Sequence, residues 1–153
     1  MTIFPSAGIE PCRPHRVLVA EDDAAMRALL ACRLRRAGFE VVEASTGTEA
    51  LQRLAGDRIG TSGRAFDVVV SDVRMPGCDG LHILAWLQRT SASVPVILIT
   101  AFGKKATHLE AQRLGAYAVV DKPFDLCDLT ELVSVAARTA ARPSASLSGA
   151  REE

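Results

Sequence analysis

Charged and polar side chains follow directly after four short apolar runs of the sequence. Glu21 and Asp22 come after RVLVA, Asp72 after VVVS, Thr100 after VILI and Lys122 after AVVD. Carboxylates that are brought together repel one another unless a proton or a cation relieves the repulsion. Magnesium fits a small acidic cluster because it takes few protein oxygens, keeps waters and completes its shell with substrate phosphate. These residue types therefore predict a magnesium-dependent site for phosphoryl chemistry, provided that the four positions meet.

The individual side chains have distinct uses in such a site. An aspartate carboxylate is itself able to act as a nucleophile and form an aspartyl phosphate. Lys122 supplies a positive point charge for a phosphoryl oxygen, and Thr100 supplies a hydroxyl donor. Taken alone, Lys122 would be interpreted as a solvated surface lysine. Glu21 and Asp22 alone would be interpreted as acids that cap a helix, and we expect Asp23 to have that role. The chemical interpretation depends on their recurrence at matching positions.

The elements that must position these residues alternate between strand and helix. Short apolar runs predict strands at 16–20, 39–44, 67–71, 94–99 and 116–120, and helical spacing predicts helices at 24–37, 47–54, 80–88, 105–114 and 126–139. Strands that alternate with helices of this length form βαβ units, with a parallel sheet covered on both faces. The predicted fold class is therefore doubly wound α/β. In such a sheet, ligands bind outside the carboxyl ends of the strands, where the polar residues fall.

The domain organisation predicted from the sequence is simple. A length of 153 residues with 48% hydrophobic content fits one ordinary globular domain. We expect this domain at 15–140, a flexible segment at 1–14, which contains three prolines, and a flexible tail at 141–153, which is small and polar. The stretch 56–65 is rich in glycine and charge and is predicted to be a surface loop.

Charge and cysteine usage exclude several classes of protein. Eighteen basic residues balance eighteen acidic ones, so we expect no direct nucleic-acid binding by this domain. The four cysteines include no CxxC pair, which argues against zinc and a disulfide framework and favours the cytoplasm. No apolar run is long enough to cross a membrane, and the first residues lack a signal-peptide pattern, so we expect neither membrane insertion nor export.

Four motifs occur in a fixed order: an acidic Glu-Asp pair, SDVRMPG, VILITA and DKPF. Their joint order and spacing resemble the response-regulator receiver domain of bacterial two-component systems, over roughly residues 16–139. The resemblance implies a flavodoxin-like fold, with a five-stranded parallel sheet in the order 2-1-3-4-5 and five helices. It also implies a phosphorelay module that takes a phosphoryl group from a sensor histidine kinase and then switches a protein-interaction surface.

Carried over position by position, the resemblance makes Asp72 the phosphoacceptor. It also makes Asp22 and Asp72 direct ligands of Mg²⁺, with the backbone carbonyl of Arg74 as a third protein ligand and Glu21 acting through water.

The same resemblance gives roles to the residues after the last two strands. Thr100 matches the switch hydroxyl, and the small Ala101 beside it leaves access to the phosphoryl group. Lys122 matches the lysine that binds the phosphoryl group, and the peptide bond between Lys122 and Pro123 is expected to be cis, which is inexpensive only before proline.

One position departs from the family pattern. Receiver domains usually carry Tyr, Phe or His three residues before the lysine, where Val119 stands here. The usual rotation of an aromatic ring is therefore not expected at this position. Tyr117 shares a strand face with Val119, and its ring either substitutes in part or merely packs.

The implied switch surface consists of the fourth helix, fifth strand and fifth helix, at roughly 104–139. It would bind an output domain or effector protein, or form a homodimer. The role is signalling, so we do not expect an enzyme beyond self-catalysed phosphoryl acceptance and hydrolysis. One alternative is a magnesium-dependent hydrolase with an aspartyl nucleophile, although such enzymes generally need an acid two positions on, where Arg74 stands. The other is a phosphorylation-independent interaction module, which only Val119 favours.

Overall fold

The computed structural model describes residues 13–58, 65–90, 93–101 and 104–140, which form five strands alternating with five helices. In chain order these are β1 (Arg16–Ala20), α1 (Ala24–Arg36), β2 (Glu40–Ala44), α2 (Gly47–Arg58), β3 (Val68–Asp72), α3 (Gly80–Arg89), β4 (Val96–Thr100), α4 (Lys105–Arg113), β5 (Ala118–Asp121) and α5 (Leu126–Ala140). The strands form one parallel sheet in the order β2-β1-β3-β4-β5. The predicted fold class and strand order are both confirmed.

The sheet separates two hydrophobic cores. Successive residues of β1 point to opposite faces, so that Val17 and Val19 pack towards α1 and α5, whereas Leu18 and Ala20 pack towards α2 and α3. Strands β3 and β4 are buried along their whole length, as expected of parallel strands covered on both faces. The strand order reverses between β1 and β3, so their carboxyl ends border the crevice where such sheets bind ligands.

Helix α1 has well-defined ends. The Oδ1 atom of Asp23 accepts hydrogen bonds from the backbone N–H groups of Ala25 at 3.0 Å and Met26 at 3.2 Å, which confirms Asp23 as the N-cap. Beyond the helix, Gly38 has a φ of +100°, a conformation that favours glycine at this point. Because α1 begins so soon after β1, Glu21 and Asp22 are confined to a short connection at the sheet edge.

Helix α2 is longer than the sequence predicts, since it continues to Arg58. The predicted loop at 56–65 is therefore wrong for residues 56–58, while residues 59–64 lie outside the described part of the chain. A glycine such as Gly56 costs about 1 kcal/mol relative to alanine inside a helix. The burial of Ala50 and Leu54 against the core offsets that cost, and local composition does not reveal this packing.

The first turn of α2 is secured by reciprocal hydrogen bonds. The hydroxyl oxygen of Thr46 accepts from the backbone N–H of Glu49 at 3.0 Å, and the carboxylate of Glu49 accepts from the backbone N–H of Ser45 at 2.9 Å. The bond from Ser45 lowers the pKa of Glu49. These contacts fix the start of α2 beside the carboxyl edge of the sheet.

Strands β3, β4 and β5 each end one residue later than predicted, and the first two end at residues that matter for chemistry. Asp72 ends β3 and Thr100 ends β4. Both stay in the ladder, because Asp72 lies opposite Ile99 and Thr100 lies opposite Asp121. The sheet therefore holds these two residues more rigidly than a loop would.

The predicted flexible segments at 1–14 and 141–153 lie almost wholly outside the described residues, so the predicted domain limits remain predictions. Among the helices that the structure describes, none has both the length and the apolar character needed to cross a membrane.

Candidate functional site

Four strand ends bring the predicted polar residues to one edge of the sheet. Glu21 follows β1, Asp72 ends β3, Thr100 ends β4 and Lys122 follows β5. The first three are only 1%, 7% and 2% exposed, which is uncommon for polar and charged side chains. Together with Ser71, they make up the buried polar residues of the described chain. Their concentration at one edge confirms that the predicted residues meet.

The Asp72 carboxylate is held by two donors. The Nζ atom of Lys122 donates to Oδ2 at 3.0 Å, and the backbone N–H of Arg74 donates to Oδ1 at 3.1 Å. The hydroxyl of Ser71 donates to the backbone carbonyl of Asp72 at 2.9 Å, so the main chain at Asp72 is also held by a hydrogen bond. Charge-assisted bonds of this kind give the carboxylate a defined orientation.

Glu21 is the second buried carboxylate of the site. Its Oε1 atom lies 3.5 Å from Nζ of Lys122, and its Oε2 atom accepts from the backbone N–H of Asp23 at 3.1 Å. Burial raises the pKa of Glu21 to about 7, and the charge of Asp72 adds to the rise, although the N–H of Asp23 opposes it. Two carboxylates thus compete for one ammonium, and a further cation at this edge would relieve them.

Lys122 bridges these two carboxylates. Its backbone N–H donates to the carbonyl of Thr100 at 2.8 Å, which fixes the start of its side chain beside β4. The peptide bond to Pro123 is cis, as predicted. Burial works to lower the pKa of the Lys122 ammonium, but the contacts with Asp72 and Glu21 outweigh it and raise the pKa. The ammonium therefore stays charged at neutral pH.

The three acids lie at a spacing that suits a metal ion. One carboxylate oxygen from each of Glu21, Asp22 and Asp72 lies within 4.8 Å of the others. Asp22 is exposed while the other two are buried, so the cluster opens to solvent on the Asp22 side. Carboxylate oxygens are the hard ligands that Mg²⁺ prefers. Arg74 lies next to this cluster through its bond to Asp72, and the ligand role of its carbonyl stays a prediction.

Two glycines that sequence analysis did not single out are needed beside the site. A Cβ atom on Gly80 would lie 2.6 Å from the carbonyl oxygen of Asp72 and 2.9 Å from Cδ2 of Leu98. A Cβ atom on Gly47 would collide with the backbone carbonyl of Cys78. Both glycines therefore allow the connection after β3 to pack closely. The contact of Gly47 joins distant parts of the chain, so sequence spacing carries no signal for it.

Arg27 was also missed by the sequence analysis. Its Nη1 atom donates to the backbone carbonyl of Glu21 at 2.8 Å, and its Nε atom lies 3.4 Å from the carboxylate of Glu43. The backbone N–H of Glu21 in turn donates to the carbonyl of Ala44 at 3.0 Å. The main chain at Glu21 is therefore fixed from two sides, which explains how a buried carboxylate keeps its place.

The position of the usual family aromatic is occupied by a half-buried aliphatic side chain. Val119 packs against the core on the α3 side of the sheet. Tyr117 precedes β5, is 38% exposed, and donates its backbone N–H to the carbonyl of Val96 at 2.8 Å. Val96 begins β4 whereas Thr100 ends it, so Tyr117 lies near the end of the strand pair away from the site. This placement favours packing over partial substitution for the missing ring.

Comparison with known proteins identifies the family. A family model described as the response regulator receiver domain matches residues 17–134, well over half of the chain. The chain belongs to this family. The match runs from β1 into α5 and so includes every strand end that contributes to the site. The resemblance on which the sequence prediction rests is therefore confirmed.

Curated relatives of this receiver domain are longer response regulators. The chain is 38% identical over 119 residues to response regulator protein FleR of Pseudomonas aeruginosa, covering 78% of this chain and 24% of FleR. It is 34% identical over 117 residues to DNA-binding transcriptional regulator NtrC of Escherichia coli, covering 76% of this chain and 24% of NtrC. It is 36% identical over 124 residues to transcriptional regulatory protein FixJ of Bradyrhizobium diazoefficiens, covering 81% of this chain and 57% of FixJ. The chain thus spans about a quarter of the length of FleR and NtrC.

Solved structures agree with this assignment. The receiver domain of the Francisella response regulator 1452 matches with a TM-score of 0.71 at 26% identity, covering 82% of this chain and 98% of that one. A CheY-like response regulator receiver domain protein from Methanospirillum hungatei matches with a TM-score of 0.74 at 22% identity, covering 83% of this chain and 96% of that one. The second likeness concerns the fold alone. The protein is a receiver domain of the response regulators of two-component signalling.

Proposed function

We propose that Asp72 of this receiver domain accepts a phosphoryl group from the phosphohistidine of a sensor histidine kinase. The observation that supports the proposal is the burial of the Asp72 carboxylate together with its two hydrogen-bond donors. This carboxylate is buried at the sheet edge beside Glu21 and is held by Nζ of Lys122 at 3.0 Å and the N–H of Arg74 at 3.1 Å. A carboxylate oriented in this way suits nucleophilic attack that forms an acyl phosphate.

In the proposed transfer, an oxygen of Asp72 forms a bond to phosphorus as the phosphorus–nitrogen bond of the phosphohistidine breaks. The electron pair of the broken bond stays on the imidazole nitrogen. The ammonium of Lys122, which its carboxylate contacts keep charged at neutral pH, stabilises the negative charge on the phosphoryl oxygens. Thr100, buried at the end of β4, supplies a hydroxyl donor to one of those oxygens.

The proposed cofactor is Mg²⁺, held by the acidic cluster. Asp22 and Asp72 would be direct ligands, with the carbonyl of Arg74 as a third ligand and Glu21 acting through water. The donor set is made of hard oxygens within 4.8 Å of one another, and the pKa of Glu21 is raised mainly by burial and further by the charge of Asp72. Bound Mg²⁺ would supply positive charge that neutralises the phosphoryl oxygens.

The proposed output is a change in the surface formed by α4, β5 and α5, at roughly 104–139. A phosphoryl group adds negative charge and three acceptor oxygens next to Thr100, and such a local charge biases an element with two arrangements. Because Val119 has no ring to rotate, we propose that the movement of the Thr100 hydroxyl reaches this surface through β4 and the start of α4. The surface would then bind an output domain, an effector protein or a second receiver.

Several wider features belong to the same proposal. Membership of the response regulator receiver family supports a histidine kinase partner. The names of the longer relatives, which include transcriptional regulators, support an output domain or effector. We propose a cytoplasmic location, a domain at 15–140 between flexible segments, and no direct nucleic-acid binding by this domain. Its role would be signalling, and its only catalysis would be that of its own phosphorylation and hydrolysis.

The hydrolase alternative finds no support at the site. The position two residues after Asp72 is Arg74, which has no carboxyl group and is exposed. An acid that would protonate a leaving group is therefore absent from that position. The protein is expected to show no turnover of small phosphate esters.

Incubation with acetyl phosphate and Mg²⁺, followed by intact-mass measurement, tests the proposed acceptance. We expect the wild-type protein to gain the mass of one phosphoryl group and Asp72→Asn to gain none. Asp23→Asn is a matched control, because asparagine also caps helices and the residue lies outside the proposed ligands. Labelling of Asp72→Asn to the same extent as wild type would overturn the assignment.

A further inference from the structure

A groove between α1 and α5 is lined by three arginine side chains. It consists of two adjoining cavities of about 390 and 400 Å³, which share Ser134 and Arg138 on α5. Arg33 of α1 lines the first cavity, and Arg13 and His15 line the second. Because the two cavities share lining residues, they form one elongated groove along the helix pair.

The arginines of this groove have no ion-pair partner among the residues that the structure describes, whereas the lining His15 lies 3.5 Å from the carboxylate of Asp67. Glu131 is the one acid among the described residues that line it. Within the described part of the chain, none of the arginines Arg13, Arg33 and Arg138 has a carboxylate within ion-pair distance. Arginines elsewhere do have such partners: Arg16, Arg27, Arg35, Arg53 and Arg113. The groove therefore keeps positive charge that is available to a ligand.

Arg33 has most of its hydrogen-bonding capacity left over. It is half-buried, and its Nη2 atom donates to Sγ of Cys127 at 2.6 Å. A thiol sulfur is a weak acceptor, whereas a guanidinium carries five N–H donors in a fork that matches a carboxylate. The half-buried hydroxyl of Ser134 lies along the same groove as an additional donor. This arrangement fits a carboxylate ligand.

The groove is separate from the phosphoacceptor site. Helix α5 starts after the carboxyl end of β5 and runs back across the sheet, so Ser134 and Arg138 lie towards the amino ends of the strands. Arg13 and His15 come just before β1 and lie at that same edge. Asp72 lies at the opposite edge, and only Cys127 and Thr130 at the start of α5 bring the groove towards it, so we expect substitution of Arg138 to leave the phosphoryl chemistry unchanged.

We propose that the α1–α5 groove binds an acidic segment of a partner protein in extended form. Its arginines lie along an elongated groove rather than around one closed pocket. That distribution suits several carboxylates spaced along a chain better than it suits one compact anion. The pairing would be electrostatic and partly exposed, so it would weaken as salt concentration rises.

Fluorescence anisotropy with a labelled peptide of alternating glutamate and serine tests this proposal, with a glutamine–serine peptide as the neutral probe. At low salt we expect wild type to bind the acidic peptide and not the neutral one. Arg138→Glu should weaken binding about tenfold or more, since it replaces an attraction with a repulsion. Arg33→Gln, which keeps much of the side-chain stem, should weaken it too. Arg89→Glu, an exposed charge reversal on α3, should change it by less than about twofold.

Four binding results and one sedimentation result would overturn the proposal. The first two are failure of wild type to bind the acidic peptide, and wild-type affinity in both Arg138→Glu and Arg33→Gln. The other two binding results are an equal loss of affinity in Arg89→Glu and full competition by millimolar inorganic phosphate. The last result would assign the groove to a compact anion. Sedimentation of the free protein measures its oligomeric state. A dimer that becomes monomeric in Arg138→Glu would show that the groove binds a second copy of this chain instead of a partner segment. Circular dichroism verifies that each variant is folded.

Discussion

The ammonium of Lys122 and the carboxylate of Asp72 lie 3.0 Å apart, although the two residues are 50 positions apart in the sequence. The same ammonium lies 3.5 Å from the buried carboxylate of Glu21. The positive charge of one lysine thus lies beside two carboxylates that would otherwise repel each other at the sheet edge. This shared cation explains how the fold tolerates two buried carboxylates before a metal ion or a phosphoryl group arrives.

Replacement of Lys122 by methionine should impair both stability and phosphorylation. Loss of the ammonium leaves Asp72 and Glu21 without their common partner, which we expect to lower the free energy of unfolding by about 1–3 kcal/mol at pH 7. Loss of a charge that faces the phosphoryl oxygens should slow labelling by acetyl phosphate about a hundredfold. Urea unfolding and time-resolved intact mass measure the two effects. Labelling at the wild-type rate would contradict the role given to Lys122.

The buried carboxyl of Glu21 should make stability depend on pH in the metal-free protein. Its pKa rises from 4.5 to about 7 on folding, so the folded state holds a proton that the unfolded state releases. The stabilisation is present below pH 4.5 and is lost as pH rises through about 7, by up to about 3 kcal/mol. Urea unfolding in EDTA between pH 5 and pH 8 measures the slope.

Glu21→Gln should flatten this slope, because glutamine does not titrate in the range. Asp23→Asn should keep the wild-type slope, since Asp23 caps α1 on the exposed side of the connection. An identical slope in wild type and Glu21→Gln would mean that Glu21 does not hold the proton.

Gly80→Ala should disturb the site through a backbone collision. The added Cβ would lie 2.6 Å from the carbonyl oxygen of Asp72, so β3 or the start of α3 must shift. We expect a loss of about 1–3 kcal/mol in the free energy of unfolding, together with slower labelling by acetyl phosphate. Gly38→Ala is the control, because its Cβ meets nothing within 4 Å and only the φ of +100° is unfavourable. It should cost about 1 kcal/mol and leave labelling unchanged.

Cys78 should react slowly with thiol reagents despite its place in a connection near the site. Burial raises the pKa of its thiol, and the neighbouring charge of Asp79 raises it further. Alkylation at pH 8, resolved by peptide mass, should modify Cys78 several-fold more slowly than the exposed Cys32 and Cys127. Asp79→Asn, which also caps helices, should speed the reaction. Reaction of Cys78 as fast as the exposed thiols would contradict the assignment.

Sequence reasoning located the site because its residues follow strands. Periodicity predicted the strands, and a parallel sheet brings their carboxyl ends together, so Glu21, Asp72, Thr100 and Lys122 were expected at one edge. Residue type and position after the strand do not distinguish Glu21 from Asp22, and only the family resemblance gives them different roles. In the structure one is buried and the other exposed, because only tertiary packing decides which side chain turns inward.

Other features depend on contacts that local patterns do not encode. The need for glycine at Gly47 and Gly80 arises from close approach to the connection after β3, and the final turn of α2 depends on core packing. The α1–α5 groove combines Arg13, Arg33 and Arg138 from three separate segments. Sequence predicts an arginine's charge, but only the packed helices show whether a carboxylate neutralises it.

The central claim is that Asp72 itself carries the phosphoryl group, and chemical trapping tests it most directly. Borohydride reduces an aspartyl phosphate to homoserine, which tandem mass spectrometry places at one residue. After treatment with acetyl phosphate and Mg²⁺, we predict homoserine at position 72 alone, and none when EDTA replaces Mg²⁺. Homoserine at position 22 or 23 instead, or full phosphorylation of Asp72→Asn, would contradict the account.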